Sequence, residues 1–329
     1  MSSSNNYNYP FFSRILHKLA LGSSEILALF FKIEKKLFLQ KVKNHQPKSL
    51  FITGLARSGS TILLKSLNET GFFATLKYKD MPFILAPNFW AKLQPSSQNN
   101  FQTEREHNDG LYISPESPEA FEEVFWMTFN EYSETNQNNF KNYIKLILKR
   151  YSKIRYLSKN NQNIHRLLFL KDCVKNSIIL IPFRDPLQQA NSLLIQHTNF
   201  CIKQKNDPFL LDYMKLIGHR EFGLSYNPNF TDRLNYLDPL LLNHWLEQWL
   251  LTYDNLLKTV SEIENIIFVC YETLCNSSLK WTKLKNKLSI DSNYKTNYCE
   301  SINPINKIYN QKLNNKCYEL YSTLQDISI

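Results

Sequence analysis

The residues best suited to chemistry lie in one short segment of the chain. Residues 50–61 read Leu-Phe-Ile-Thr-Gly-Leu-Ala-Arg-Ser-Gly-Ser-Thr. This pattern predicts a buried strand, a tight loop and the first turn of a helix. The backbone amides of such a loop and of the helix N-terminus form a cradle for an anion. The segment therefore predicts an anion-binding site, with Ser58, Gly59, Ser60 and Thr61 as its ligands.

The spacing follows the G-x-x-x-x-G-K-[ST] loop of nucleotide-binding proteins, with one departure. Ser60 stands where that loop has a lysine, whose task is to hold the β- and γ-phosphates of a triphosphate. Without this lysine the loop is expected to hold a different phosphate donor. Arg57, three positions earlier, supplies a cation that can reach a group bridging two anionic centres.

A second anion site is predicted where the apolar run 177–183 ends in Arg184-Asp185-Pro186. The run is typical of a buried strand, and Pro186 suits the first position of a helix. Ser192 lies about two helical turns further on, so its hydroxyl is expected to meet a phosphate that Arg184 also binds. Two anion sites, each at the C-terminal end of a parallel strand, suit one ligand with two separated phosphate groups.

These motifs resemble those of the sulfotransferases that use 3′-phosphoadenosine 5′-phosphosulfate (PAPS). Residues 54–61 are similar to the family's 5′-phosphosulfate loop of the R-S-G-[ST]-T kind, and Arg184 with Ser192 is similar to its 3′-phosphate site. Two further matches are Lys159, in a Ser-Lys-Asn-Asn segment, and the Tyr-Glu-Thr-Leu segment at 271–274. All four motifs occur in the family's order.

The resemblance implies transfer of a sulfuryl group from PAPS, as co-substrate and without a metal, to a hydroxyl or amine of a carbohydrate, a peptide or a small molecule. It assigns Arg57 to the leaving 5′-phosphate, Lys159 to the sulfuryl oxygens, and Arg184 with Ser192 to the 3′-phosphate. Cationic stabilisation of the transition state is the expected source of catalysis. Two alternatives stay open: a P-loop kinase, against which Ser60 argues, and a non-catalytic binding protein with this fold.

The general base is left open between two residues. Asp80 follows the predicted second strand, where tyrosylprotein-type relatives carry a glutamate base, and the lysines one and three positions before it are expected to keep it ionised. His107 lies in a cluster with Glu104 and Asp109, and an imidazole titrates near neutrality without special tuning. Either residue is expected to accept the proton of an acceptor hydroxyl.

Two departures from the family bear on the donor site. The R-K-G-x-x-G-x-x-K segment near the C-terminus of cytosolic small-molecule sulfotransferases is missing, since residues 303–315 contain no glycine. The ligands of the 3′-phosphate are therefore expected to be fewer or to come from elsewhere. Arg57 replaces the loop lysine of those enzymes, which places the chain nearer the protein- and glycan-directed or bacterial branches.

Strand patterns that alternate with helical ones predict an α/β fold, with a parallel sheet covered by helices on both faces. The resemblance specifies the P-loop sulfotransferase form of this fold. Residues 48–329 are expected to form that domain and residues 1–47 a helical N-terminal extension. The pattern also predicts a second strand over 72–77 and helices over 117–126 and 140–156.

Composition narrows the class of protein. Of the 329 residues, 43% are hydrophobic and 14% aromatic, which is ample for a packed core and excludes wholesale disorder. The formal net charge of +10 suits an anionic substrate, and no nucleic-acid partner is expected because the basic residues are scattered. Six cysteines without a C-x-x-C pair argue against a zinc site and favour a reducing, cytoplasmic location.

The N-terminal segment is amphipathic. Its most apolar run, residues 26–31, is far shorter than the ~20 residues of a membrane span, so no transmembrane segment is expected. The segment is expected to pack on the main domain, with peripheral membrane contact as the alternative.

Overall fold

The computed structural model describes residues 11–39, 49–94, 102–104, 111–129, 132–260, 263, 265–296 and 299–329. Its strands are β1 (Leu50–Ile52), β2 (Phe73–Ala74), β3 (Thr103–Glu104), β4 (Tyr112–Ile113), β5 (Arg155–Lys159), β6 (Ile178–Phe183) and β7 (Ile266–Cys270). A parallel sheet with the order β2–β5–β1–β6–β7 forms the centre, and β3 pairs with β4 in an antiparallel ribbon.

Helices connect and cover these strands. They are α1 (Phe11–Leu21), α2 (Ser24–Phe38), α3 (Ser60–Glu69), α4 (Pro87–Leu93), α5 (Glu123–Thr128), α6 (Glu134–Tyr151), α7 (Leu167–Cys173), α8 (Pro186–Asn206), α9 (Pro208–Leu216), α10 (Leu242–Val260), α11 (Tyr271–Asn276), α12 (Ser278–Lys287) and α13 (Gln311–Ile327). Short 3-10 turns occur at Tyr78–Asp80, Asn161–His165 and Thr231–Arg233. In the described ranges no helix is both long and apolar enough to cross a membrane.

Strand β1 lies at the middle of the sheet and is buried on both of its faces. Leu50, Phe51 and Ile52 are each 0% exposed. Because successive side chains of a strand point to opposite faces, Phe51 belongs to one core cluster and Leu50 and Ile52 belong to another. The first cluster contains residues of α2, α5, α6, α8, α10 and α13, and the second contains residues of α3 and α12. The predicted parallel sheet with helices on both faces is confirmed.

The predicted helix over 140–156 is wrong at its C-terminal end. Helix α6 ends at Tyr151, the next residue Ser152 turns the chain through its left-handed backbone (φ +52°), and strand β5 begins three residues after Ser152. The strand contains the polar residues Arg155, Ser158 and Lys159, so its composition does not predict a buried strand. This segment is a strand because it pairs with β1 on one edge and with β2 on the other. The local sequence pattern does not reveal these pairings.

The predicted helix start at Ser117 is also wrong, since α5 begins at Glu123. The segment before α5 instead runs antiparallel to the turn that follows β2. The Tyr78 amide donates to the Ser117 carbonyl at 3.1 Å, and the Lys79 amide donates to the Pro115 carbonyl at 3.0 Å. These tertiary hydrogen bonds outweigh the local preference of a serine–proline pair for a helix start.

The N-terminal helix α2 shares the core of the domain. Phe31 is 1% exposed and lies edge-on to Phe125 of α5, with ring centroids 6.0 Å apart. Glu34 is buried and accepts hydrogen bonds from the backbone amides of Asn88 and Phe89 at 2.9 Å each. Burial raises the pKa of Glu34, and these hydrogen bonds oppose the rise. Helix α2 is therefore tied to α4 and α5, while the domain boundary between residues 47 and 48 stays a prediction.

Candidate functional site

The loop between β1 and α3 contains two residues in the left-handed region of backbone space. Gly59, with φ +84°, precedes the first turn of α3, and Arg57 has φ +67°. A Cβ atom on Gly59 would lie 2.5 Å from Cδ2 of Tyr271, so only glycine fits there. For Arg57, such a conformation costs on the order of 1–3 kcal/mol and is characteristic of functional sites.

The start of α3 provides unpaired amide groups, as every helix N-terminus does. Ser60 and Thr61 are its first two residues, and both line a cavity at the C-terminal edge of the sheet. Ser58 is fully buried beneath the loop. The start of α3 and the Ser60 and Thr61 side chains therefore lie at this cavity, whereas Ser58 does not line it, and their role as anion ligands stays a prediction.

The two predicted anion motifs meet in space. Arg57 Nε donates a hydrogen bond to Ser192 Oγ at 3.0 Å, across 135 residues of sequence. Ser192 lies on α8 and is 5% exposed. The strands that precede the two motifs, β1 and β6, are adjacent in the sheet, which brings their C-terminal ends together.

Arg184, at the end of β6, is 5% exposed, and its guanidinium group lies 4.9 Å from the ring centroid of Tyr271. One of its terminal nitrogens, Nη2, donates to the Ser301 carbonyl. Its Nε atom is buried and has no hydrogen-bond partner among the described residues. A buried, charged donor without a partner is costly, and a bound anion would satisfy it.

Glu272 of the Tyr-Glu-Thr-Leu segment holds the turn that carries Arg184. Its Oε1 accepts from the backbone amide of Asp185 at 2.8 Å, and its Oε2 accepts from the Tyr321 hydroxyl at 3.0 Å. Asp185 in turn caps α8 by accepting from the Gln188 amide at 2.8 Å. Within this motif Tyr271 contacts the site directly, whereas Glu272 positions the residues that form it.

Lys159 is the last residue of β5 and stands in register with Ile52 of β1. It is 9% exposed and lines the same cavity as Arg57, Ser60 and Arg184. The cavity measures about 110 Å³. Its wall is formed by Ala56, Arg57, Gly59, Ser60, Thr61, Ile62, Leu111, Glu119, Lys159, Asn161, Arg184, His219, Glu221, Phe222, Tyr271 and Ser301.

A comparison with protein families explains this convergence of motifs. The model of the sulfotransferase family matches residues 47–283, which is more than half of the chain. The chain belongs to the sulfotransferase family.

Solved sulfotransferase structures resemble this sulfotransferase at low sequence identity. STF9 from Mycobacterium avium is 10% identical with a TM-score of 0.52, and the match covers 95% of this chain and 78% of that chain. STF1 from Mycobacterium tuberculosis H37Rv is 12% identical, with a TM-score of 0.49 and coverage of 86% and 78%. The sulfotransferase domain from the curacin biosynthetic pathway is 16% identical, with a TM-score of 0.38 and coverage of 74% and 75%.

The likeness to STF9 supports the fold of this sulfotransferase and nothing finer. No curated protein matches the chain significantly.

Of the two predicted base candidates, Asp80 does not line the cavity of this sulfotransferase. It is 0% exposed and accepts from the Tyr151 hydroxyl, from Arg150 Nε at 3.3 Å and from the Lys77 amide at 2.9 Å. Burial raises the pKa of Asp80 and outweighs the expected lowering, to which Lys79 does contribute. The ammonium groups of Lys77 and Lys79 bind Glu116 instead, at 2.9 and 2.5 Å.

We expect Asp80→Asn to destabilise the protein by about 3 kcal/mol, because three donors converge on its two oxygens and asparagine offers only one oxygen. The turnover of the molecules that remain folded should be close to wild type. Urea denaturation measures the stability, and activity per folded molecule measures the turnover. Glu116→Gln, at the exposed partner of the two lysines, is the control and should cost below about 1 kcal/mol. Wild-type stability combined with lost turnover would instead identify Asp80 as the base.

The other candidate, His107, lies outside the described residues together with Asp109, so its role as the base stays a prediction. Glu104 of the same cluster is described and is exposed on β3.

Sequence reasoning missed several polar residues of the cavity wall. Glu119 precedes α5, Asn161 follows β5, and His219 and Glu221 lie in the loop after α9. Asn161 alone carried a signal, since it stands two positions after Lys159 at the end of a strand. The other three belong to no contiguous motif, and only the fold brings them to the cavity.

Proposed function

We propose that this sulfotransferase uses PAPS as its sulfuryl donor and a hydroxyl or amine group as its acceptor. The observation that carries the proposal is the hydrogen bond between Arg57 and Ser192, 3.0 Å long. It joins the loop predicted for the 5′-phosphosulfate to the residue predicted for the 3′-phosphate. A donor with two separated anionic groups would therefore contact both motifs at one site.

The buried polar groups fit such a donor. Arg184 Nε has no partner among the described residues, and a 3′-phosphate oxygen would provide one. The helix N-terminus at Ser60 and Thr61 would hold the 5′-phosphate through amides and hydroxyls. PAPS supplies an activated sulfuryl group on its 5′-phosphate. Arg57 would neutralise the charge that develops on that phosphate, and Lys159 would neutralise the sulfuryl oxygens.

A segment near the C-terminus takes the place of the missing glycine-containing segment. Asn303 exchanges hydrogen bonds with Gln188, whose Oε1 accepts from the Asn303 amide at 2.9 Å, and Asn191 Nδ2 donates to the Pro304 carbonyl at 3.3 Å. The Ser301 carbonyl accepts from Arg184. This segment therefore lies against the predicted 3′-phosphate site and supports its assignment, although it contains no glycine.

We expect the desulfated product 3′,5′-bisphosphoadenosine (PAP) to stabilise the folded protein without a divalent metal. The physical reason is linkage, because a ligand that binds only the native state at a hundred times its Kd adds roughly 2.7 kcal/mol. A thermal shift measured with PAP in the presence of EDTA tests this, with ATP and Mg²⁺ as the comparison. Stabilisation by ATP–Mg²⁺ but not by PAP would favour a P-loop kinase, the alternative that Ser60 already opposes.

We further propose a reducing, cytoplasmic location. All six cysteines lie in the described ranges, and each is unpaired. Burial raises the pKa of the Cys173 and Cys317 thiols to about 12, which makes them poor nucleophiles for disulfide exchange.

A further inference from the structure

We propose that the cavity contains an acceptor subsite built by Asn161, His219 and Glu221. It would accept a neutral or cationic molecule that presents several hydroxyl or amine hydrogens, with His219 as the general base. This inference rests on the proposed function, because it concerns the acceptor of the same transfer reaction. All three residues line the cavity that Arg57 and Lys159 also line.

Asn161 supplies the first acceptor atom of the subsite. Its side chain is 6% exposed, and Nδ2 donates to Glu221 Oε1 at 2.8 Å. Because a carboxylate can only accept here, this contact fixes the amide orientation and leaves Oδ1 as a pure acceptor. Asn161 Oδ1 is buried and has no hydrogen-bond partner among the described residues. An unsatisfied buried acceptor costs about 1–3 kcal/mol, and a hydrogen from a ligand would remove that cost.

Glu221 supplies the second acceptor atom. It is half-buried in the loop after α9, and Asn161 occupies only its Oε1. Its other oxygen makes no hydrogen bond within the described part of the chain. The pair thus presents an amide oxygen and a carboxylate oxygen side by side.

His219 supplies the third acceptor atom of the subsite. Its Nε2 lies 3.0 Å from the carbonyl oxygen of Ala120. Since a carbonyl oxygen can only accept, Nε2 carries the hydrogen and Nδ1 of the neutral ring carries a lone pair. Nδ1 has no partner among the described residues, so it is available to take a proton from a bound hydroxyl.

The composition of this wall defines the chemistry of the acceptor. Three unpartnered atoms that accept hydrogen bonds require a ligand that donates them. Glu119, on the same cavity, adds a second carboxyl group, whose oxygens accept from the Tyr78 hydroxyl at 2.8 Å and the Ala120 amide at 2.7 Å. A carboxylated or sulfated acceptor would meet repulsion from two carboxylates, whereas an amino group would be attracted.

The proposed transfer balances as follows in atoms and charge. The acceptor oxygen forms a bond to sulfur while its proton passes to His219 Nδ1. The bond between sulfur and the bridging oxygen of the 5′-phosphate breaks, and its electron pair leaves with that phosphate as PAP.

Charged groups that line the cavity around His219 are Arg57, Glu119, Lys159, Arg184 and Glu221.

Three sugars with one scaffold and different charge test the acceptor class. Methyl glucoside is neutral, glucosamine is cationic near neutral pH, and glucuronate is anionic. Full-length protein is incubated with ³⁵S-labelled PAPS and each sugar, and the labelled sugar is counted. We expect the neutral and cationic sugars to be labelled at least about 10-fold faster than the anionic one, a difference that corresponds to about 1.4 kcal/mol.

Two variants test the residues. His219→Gln keeps a donor for the Ala120 carbonyl but has no base, so kcat should fall by about 10² or more while the Kd of PAP stays within about twofold. His219→Ala should regain rate when imidazole is added. Glu221→Gln should reduce the preference for glucosamine over methyl glucoside. His165→Gln is the control, because the His165 ring bonds Asn229 at 2.9 Å and does not line the cavity.

Each outcome bears on one proposal or the other. Three results would overturn the acceptor subsite alone. They are a wild-type rate in His219→Gln, a preference for glucuronate, and failure to label either methyl glucoside or glucosamine although the protein binds PAP. Failure of the wild-type protein to bind PAP would overturn the donor proposal and this inference with it.

Discussion

Replacing Arg184 by alanine is expected to weaken the binding of PAP by about 10- to 150-fold while hardly changing the binding of AMP. AMP has the 5′-phosphate but lacks the 3′-phosphate, so the difference isolates the group that Arg184 would contact. A hydrogen bond to a charged partner contributes about 1.5–3 kcal/mol, and each 1.4 kcal/mol is a tenfold change in Kd. The partner-free Nε of Arg184 at 5% exposure places the expected value in the upper part of this range.

Calorimetric titration of both nucleotides into both proteins measures the effect. Arg155→Ala is a matched control, since its guanidinium group also stacks on an aromatic ring, 4.7 Å from the centroid of Phe73, but at the opposite edge of the sheet. It should bind both nucleotides as the wild type does. Equal weakening of AMP and PAP by Arg184→Ala would mean that Arg184 does not read the 3′-phosphate, and the donor would then need another orientation.

The parts of the site that could be predicted are those encoded in contiguous segments. The loop around Arg57 and the strand end at Arg184 each combine an apolar strand, a turn and a helix start within about a dozen residues. The conformation of such a unit is determined locally, because its buried strand, its loop glycine and its helix start are adjacent in sequence. The parallel sheet was predicted from the alternation of strand and helix patterns along the chain.

Strand β5 could not be predicted because its identity depends on its neighbours. It presents two cationic side chains in five residues, and a basic helix precedes it. Only the pairing of Lys159 beside Ile52 turns that segment into a central strand and brings the lysine to the cavity. The resemblance to a family was enough to single out Lys159, but only the fold shows that this lysine ends a central strand and lines the cavity.

The residues of the proposed acceptor subsite were missed for a related reason. Asn161 and Glu221 are 60 residues apart and touch through a single hydrogen bond of 2.8 Å. His219 reaches the same wall by bonding a backbone carbonyl near α5, a contact that carries no residue preference. Asp80, by contrast, had a plausible position in sequence, but it is buried against α6 and does not line the cavity.

Replacing Arg57 by alanine is expected to have the largest effect on turnover, a loss of about 10²–10³ in kcat, which corresponds to roughly 2.7–4 kcal/mol. The guanidinium group is oriented by Ser192 Oγ at 3.0 Å and belongs to a loop that holds it in a strained conformation, with φ +67°. A group preorganised in this way stabilises charge as it develops on the leaving phosphate. Turnover is measured as PAP release with the acceptor that the wild-type protein uses best.

A pair of variants separates the charge from the backbone. Arg57→Ala and Arg57→Gly both remove the guanidinium group, but glycine adopts a positive φ without penalty, so the glycine variant should be more stable by about 1 kcal/mol. If both variants lose turnover equally while their stabilities differ, the loss belongs to the guanidinium group. Ser192→Ala removes the hydroxyl that orients Arg57 Nε and that is also predicted to contact the 3′-phosphate, so it should lower kcat by a smaller factor than Arg57→Ala and also weaken the binding of PAP.

The comparison of turnover with binding then decides the role of Arg57. An interaction made only in the transition state lowers kcat and kcat/KM equally, whereas an interaction with the bound donor appears in KM and in the Kd of PAP. We expect the first pattern, because the charge on the 5′-phosphate grows only when the bond to sulfur breaks. Arg57→Lys should turn over faster than Arg57→Ala but more slowly than the wild type. Lysine restores the positive charge but lacks the planar guanidinium group that donates to Ser192. A loss of PAP affinity as large as the loss of kcat would show that Arg57 binds the phosphate in the ground state, and the stabilisation of the leaving group would then have to be assigned to Lys159 and the α3 amides.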